Sequence, residues 1–243
     1  MNYYCISDIG LYRDKNQDSF LAIENNYGDF LAIVADGVGG GKAGEIASGE
    51  LVKYFKSIFK ESGPFNTLEN AIDFINYHID KANSKIFNMS VSKEDYSGMS
   101  TTLTGVLMTS FGTISINCGD SRVYGFIDNK YFRLTTDHNL GNQMLENGQI
   151  TFEETINHPK KQYLYLVKAM GIFPEIKADV HKVKDMQYYL VCSDGLHSYV
   201  SEDEITNIVY DNELTLENKV IALKDISLMK GGYDNVTVIL IEK

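Results

Sequence analysis

FLAIVADGVGG, residues 30–40, is an apolar run that ends in an acidic turn. The pattern recurs as YYLVCSDGL at 188–196 and, in reverse order, as GGYDNVTVILI at 231–241. NCGDSR at 117–122 and RDKNQDSF at 13–20 extend it, so that Asp18, Asp36, Asp120, Asp194 and Asp234 all stand at the mouths of predicted strands. Carboxylates gathered at one end of a packed sheet repel one another and raise each other's pKa unless a cation joins them. Few Lys or Arg lie beside these turns, which makes a divalent metal the natural counter-charge. An oxygen-only ligand set suits Mg²⁺ or Mn²⁺, whereas zinc enlists His or Cys. None of the histidines at 78, 138, 158, 181 and 197 sits in an Asp turn with ligand spacing. Taken singly, an Asp-Gly pair is ordinary turn chemistry, and a lone Arg such as Arg13 is ordinarily a solvated surface residue. The convergence of the turns is what points to a site. Gly37 and Gly195 let the chain turn sharply after a strand and can leave a carbonyl free for a metal or water.

Around these turns the chain reads as two groups of strands. Strands are expected at Tyr3–Ser7, Ser19–Glu24 and Asp29–Ala35, the last two joined through the turn Asn25-Asn26-Tyr27-Gly28. A helix from about Ala43 carries Ala47, Leu51, Phe55 and Phe59 on one face and stops at Gly63-Pro64. A second helix aligns Leu68, Ile72, Ile75, Ile79, Ala82 and Ile86, with Asn66 and Glu69 as a capping box. Strands at 101–109, 113–117, 123–127 and 130–134 read as an antiparallel meander, and residues 139–160 as a surface flap with one short helix, ending in His158-Pro159. Two more strands, at about 178–183 and 187–192, precede a helix with Thr215 as N-cap and a last strand at 236–241. Antiparallel groups with two helices arriving together are not βαβ alternation. They predict an α+β fold of two packed antiparallel sheets flanked by helices.

Composition narrows the function. With 243 residues, 44% of them hydrophobic, residues 1–243 are expected to form one domain with a sizeable core. No apolar run approaches the roughly 20 residues of a membrane helix, and MNYYCISDIG lacks the basic and apolar segments of a secretory signal, so a cytoplasmic protein is expected. Cys5, Cys118 and Cys192, odd in number and within predicted strands, suit buried reduced thiols. A formal net charge of −11 argues against nucleic-acid binding, which needs a basic face, and serves solubility.

The motifs resemble the type 2C protein phosphatases, the metal-dependent PPM family, in their compact bacterial form. The matching pieces run nearly end to end: SDIGLYRDKNQD at 7–18, VADGVGGGKAGEIAS at 34–48, GMSTTL at 98–103, NCGDSRVY at 117–124, LTTDHNL at 134–140, KAMG at 168–171, VCSDGL at 191–196 and GGYDNVTV at 231–238. The family fold, two antiparallel sheets flanked by helices, agrees with the pattern read from periodicity. By position, the resemblance implies that Asp36 bridges two Mn²⁺ or Mg²⁺ ions, with the Gly37 carbonyl on the second and Asp194 and Asp234 completing the first. Asp18 would contact the second ion through water, and Asp120 with Asp194 would hold a third, weaker ion. Arg13 matches the residue that clamps the substrate phosphate, for which a planar guanidinium is well shaped. The implied reaction is attack of a metal-activated water on phosphoserine or phosphothreonine in proteins, opposing a Ser/Thr kinase, with no Cys or Ser nucleophile. A monomer is expected, with no nucleic-acid or membrane partner. Where some members carry a His after the first Asp-Gly, this chain has Val38, and where bacterial relatives often carry one, Gly41. The general acid is left unassigned between a metal-bound water and His138. Two other readings are a regulatory binding module on the same fold and a metal-dependent nucleotide phosphodiesterase. Activity on a phosphopeptide separates both from a phosphatase.

Overall fold

The computed structural model describes residues 1–38, 43–157 and 161–243. Eleven strands among them form two antiparallel sheets: β1 (Asn2–Asp8), β2 (Asp18–Glu24), β3 (Phe30–Val38), β4 (Ser100–Thr101), β5 (Leu103–Thr109), β6 (Gly112–Cys118), β7 (Arg122–Ile127), β8 (Lys130–Arg133), β9 (Asp179–Val183), β10 (Tyr188–Cys192) and β11 (Val236–Glu242). One sheet runs β1-β11-β10-β7-β8. The other runs β2-β3-β5-β6-β9, with β4 paired to the end of β3. The helices are α1 (Gly44–Lys60), α2 (Leu68–Ser92), α3 (Leu140–Glu146), α4 (Phe152–Asn157), α5 (Asp194–His197), α6 (Glu202–Val209) and α7 (Leu216–Met229).

The period-2 geometry of a strand sorts its side chains into layers. In β3, Leu31, Ile33 and Ala35 join the cluster beneath α1 and α2, while Phe30, Ala32 and Val34 face the other sheet. In β11, Val236, Val238 and Leu240 pack with α6 and α7, while Ile239 and Ile241 fill the space between the sheets. Tyr188, Leu190 and Cys192 of β10 divide from Tyr189 and Val191 in the same way. Both faces of these central strands are therefore covered, which explains their near-continuous apolar runs. The Ala47, Leu51, Phe55, Phe59 stripe of α1 is fully buried, as read from its spacing. Each large apolar side chain so buried stabilises by roughly 1.5–3 kcal/mol. The result is the expected sandwich of two sheets between helical layers.

Four local expectations are corrected. The cap of α2 is Thr67, whose hydroxyl accepts from the Asn70 N–H at 3.1 Å; Asn66 lies one residue outside, and Glu69 pairs with Lys182 instead. The strand expected at 101–109 is interrupted at Thr102, because its N–H donates to the Asp36 carbonyl at 2.8 Å. The meander is divided: β5 and β6 pair in one sheet, β7 and β8 in the other. The turn at 119–121 crosses between the sheets, and alternation cannot reveal such a crossing because it is the same in either sheet. The flap holds two described helices rather than one. It is closed at its base by an isolated bridge between Asn139 and Leu166. Gly41 and the His158-Pro159 end of the flap lie outside the described residues.

Candidate active site

The antiparallel register of β2 and β3 puts Asp18 directly opposite Asp36. Like charges opposite one another on a sheet are destabilising unless something offsets them. Asp120 comes from the crossing turn between β6 and β7, Asp194 opens α5 immediately after β10, and Asp234 stands two residues before β11. Asp36, Gly37, Asp120, Asp194 and Asp234, together with Arg13, line one cavity of about 630 Å³, and Asp18 lies buried behind it. All seven residues singled out in the sequence therefore meet at one end of the two sheets.

Close backbone approach makes this convergence possible. A Cβ on Gly195 would lie 1.9 Å from the Asn235 carbonyl oxygen, so only glycine lets α5 rest on the segment that carries Asp234. At Gly37 a Cβ would meet the Gly44 carbonyl oxygen at 2.4 Å, where the start of α1 is pressed against the end of β3.

The electrostatics are those of a site built for a cation. Burial, then the neighbouring charges of Asp194 and Asp234, push the Asp18 carboxyl up to about 7, opposed only by hydroxyl hydrogen bonds. Burial followed by the charge of Asp194 takes Asp120 to about 7, and burial followed by Asp234 takes Asp194 to about 6. Asp36 is raised well above the usual range by burial and then by Asp18, Asp194, Asp120 and Asp234. The Asp18 Oδ1 and Asp194 Oδ1 atoms are buried with no hydrogen-bond partner. Buried unpaired carboxylate oxygens are costly, and a hard divalent ion would satisfy both. Among the described residues no three acidic, His or Cys side chains stand close enough together to hold a metal ion as they are placed.

Without metal, these shifts give a definite pH dependence. A carboxyl whose pKa is raised on folding leaves the folded state holding more protons than the unfolded one, so stability falls as pH rises between the two pKa values. For Asp18, Asp120 and Asp194 that window runs from 3.8 to about 6–7. Metal-free protein is expected to melt several degrees higher at pH 5 than at pH 8. Added Mn²⁺ should raise the melting temperature more at pH 8, where the ligands are deprotonated. Differential scanning fluorimetry at both pH values, with and without chelator, measures this; equal melting temperatures in chelator would contradict it.

Several residues that organise the site carry no periodic signal in the sequence. Asn235, buried between the Asp234 turn and β11, accepts from the Gln17 N–H at 2.8 Å. Its amide donates to the carbonyls of Ile9 at 2.8 Å and Lys15 at 3.0 Å, pinning the loop that presents Arg13. Ser193 donates to Asp18 Oδ2 at 2.7 Å and accepts from the Thr237 N–H at 3.0 Å. Thr102 accepts from the Asp36 N–H at 2.9 Å, and Thr101 donates to the Asp36 carbonyl at 3.0 Å. Beside Asp120, Arg122 makes a two-pronged pair with the buried Asp137 at 3.1 and 2.9 Å. Arg13 itself donates through Nη2 to Asp234 Oδ2 at 2.7 Å and through Nε to the Tyr233 carbonyl at 3.3 Å.

No described histidine lines the cavity. His138 Nδ1 accepts from the Gly119 N–H at 3.0 Å, which leaves Nε2 to donate to Asp179 at 3.1 Å. It braces the crossing turn and does not line the cavity. His197 Nε2 donates to the Asp120 carbonyl at 3.0 Å, and burial drives its pKa down to about 3, so the ring is neutral. Burial raises the thiols of Cys118 and Cys192 to about 12, which makes both inert core groups.

Comparison with known proteins agrees with this geometry. A sequence profile described as protein phosphatase 2C matches residues 13–226. The serine/threonine phosphatase stp of Listeria monocytogenes serotype 4b is 34% identical over 239 residues, covering 98% of this chain and 94% of the relative. Protein phosphatase PhpP of Streptococcus pneumoniae is 32% identical over 243 residues, covering 99% and 97%. The crystal structure of serine/threonine phosphatase Stp1 from Staphylococcus aureus superposes with a TM-score of 0.90 at 30% identity, covering 99% of this chain and 94% of the other. On this profile and these relatives, the chain belongs to the protein phosphatase 2C family and is a protein serine/threonine phosphatase.

Proposed function

We propose that residues 1–243 form a single catalytic domain that hydrolyses phosphoserine and phosphothreonine in proteins with two Mn²⁺ or Mg²⁺ ions. A third ion would bind more weakly beside Asp120 and Asp194. The observation that carries this reading is the meeting of Asp36, Asp120, Asp194, Asp234 and Arg13 in one cavity, with buried, unpartnered oxygens on Asp18 and Asp194. Asp36, opposite Asp18 and central to the set, would help hold both ions, with the Gly37 carbonyl contributing to one and Asp194 and Asp234 to the other. Bound divalent ions would supply charge for the phosphoryl oxygens and acidify an attacking water at neutral pH.

The chain's own residues do the positioning. Ser193 orients Asp18, and Thr101 and Thr102 hold the Asp36 backbone from both sides. Asn235 and the Asp234 carboxylate fix the Arg13 loop, so that the guanidinium arrives pre-oriented and offers its remaining N–H groups to two phosphate oxygens. The leaving alkoxide takes its proton from water, since His138 and His197 are committed to the crossing turn. The biological counterpart is a Ser/Thr kinase in the cytoplasm, and the working unit is a monomer. No described helix is long and apolar enough to cross a membrane.

Phosphothreonine peptide hydrolysis, compared with hydrolysis of a nucleotide diester, tests the substrate class. Turnover of the diester alone would overturn it. Within the site, Arg13→Lys keeps the charge but loses the planar fork. It is expected to lower kcat/KM for a phosphothreonine peptide by about 10–100-fold, chiefly through KM, which corresponds to the loss of one charge-assisted hydrogen bond of about 1.5–3 kcal/mol. Unchanged KM would remove Arg13 from phosphate binding.

A further inference from the structure

Beside Arg13, Tyr12 and Tyr233 stack with ring centroids 5.0 Å apart and planes 17° from parallel, and Tyr199 tilts against Tyr233 at 5.9 Å. Both rings are open to solvent, Tyr12 67% and Tyr233 54% exposed. The stack is continuous with the active cavity: Tyr12 lines it, and the Tyr233 carbonyl receives the Arg13 Nε. We propose that the Tyr12–Tyr233 stack is a docking platform for an arginine side chain that flanks the phosphorylated residue of the substrate protein. The inference rests on the phosphatase reading and extends it to sequence preference.

Three features lead to this occupant. An extended peptide whose phosphate meets Arg13 places its next residues about 3.3 Å apart along the chain, which brings Tyr12, on the lining of the same cavity, within reach of a residue one or two positions away. Exposed tyrosine faces attract cations, and a guanidinium also stacks flat on them. The rim adds Asp14, which lines the same cavity, and the chain's formal charge of −11 is more than twice what two divalent ions neutralise. The protein thus remains acidic when loaded and steers basic segments toward it. The lining also holds the uncharged Leu166, at the base of the flap, and Lys15, whose ammonium is paired with Glu45 at 2.6 Å.

The test is kcat/KM of the Mn²⁺-loaded enzyme on phosphothreonine peptides of equal length with Arg, Phe, Ala or Glu within two residues of the phosphothreonine. The Arg peptide is expected to exceed the Ala peptide by about three- to tenfold, the range of an exposed to partly desolvated cation–π contact, with Glu below Ala. The Tyr12→Ala, Tyr233→Ala double variant should bring the Arg-to-Ala ratio close to one. The Tyr12→Phe, Tyr233→Phe pair, which keeps the rings, should retain it. Equal turnover of all four peptides, a preference for Phe over Arg, or a ratio that survives removal of both rings overturns the inference alone. Absence of turnover on every peptide overturns the phosphatase reading and the inference with it.

Discussion

Asp36→Asn is expected to lower turnover of a phosphothreonine peptide by about 10³-fold or more while leaving the fold intact. The magnitude follows from the role. A carboxylate shared by two ions is the hinge of the proposed centre, and metal stabilisation of transition-state charge contributes several kcal/mol, which corresponds to about three orders of magnitude in rate. The fold should survive because Asp36 is a liability without metal: its carboxyl is raised well above the usual range by burial and by four neighbouring aspartates. An amide of the same shape removes a like charge and leaves the backbone bonds to Thr101 and Thr102 in place. Metal-free Asp36→Asn should therefore melt no lower than metal-free wild type at pH 8, and its Mn²⁺-induced gain in melting temperature should shrink. Near-normal turnover would remove Asp36 from the centre. A large drop in the metal-free melting temperature would make its role structural.

Gly195→Ala should be the most damaging small substitution near the site. The added methyl would sit 1.9 Å from the Asn235 carbonyl oxygen and 2.9 Å from its carbon, both backbone atoms with no flexible end to yield. Either α5 or the Asp234–Asn235 turn must move. Overpacking of this kind costs about 3 kcal/mol, about 10 °C in a domain of this size. It also moves Asp194 relative to Asp234, so peptide turnover should fall even at temperatures where the variant stays folded. Thermal melting and a rate measured well below the melting point separate the two effects. An unchanged melting temperature would mean that α5 does not pack on that turn.

Much of this arrangement is legible in the chain because it rests on repeated signals. The apolar runs of β3, β10 and β11 are buried on both faces, and each carries its aspartate at the same end, so strand position and site position are read together. The stripe on α1 declares its buried face for the same reason. Single polar residues offer no such redundancy. Asn235, Ser193 and Thr102 act through two or three side-chain hydrogen bonds whose partners are far away in sequence. In a one-dimensional reading they look like ordinary residues beside an aspartate. The crossing of the chain between sheets at Asp120 is hidden too, since a hairpin turn and a sheet-changing turn use the same Gly, Asp and Ser. By contrast α6 had a usable sign: Ser201 and Glu204 form a reciprocal capping box ahead of Ile205 and Val209. The histidines show the opposite error. His138 stands beside an aspartate in sequence and suggests chemistry, yet its ring is spent on the Gly119 N–H and on Asp179.

The central claim is that carboxylates from both sheets act together through divalent metal on a phosphorylated residue. Its most direct test is hydrolysis of a phosphothreonine peptide by purified protein with Mn²⁺, with Mg²⁺ and after chelation, for wild type and Asp36→Asn in parallel. The expected result is turnover that requires added metal, vanishes with chelator, returns on re-addition and is absent from the folded variant at every metal concentration. Turnover that persists in chelator, or an Asp36→Asn protein that matches wild type, would contradict it.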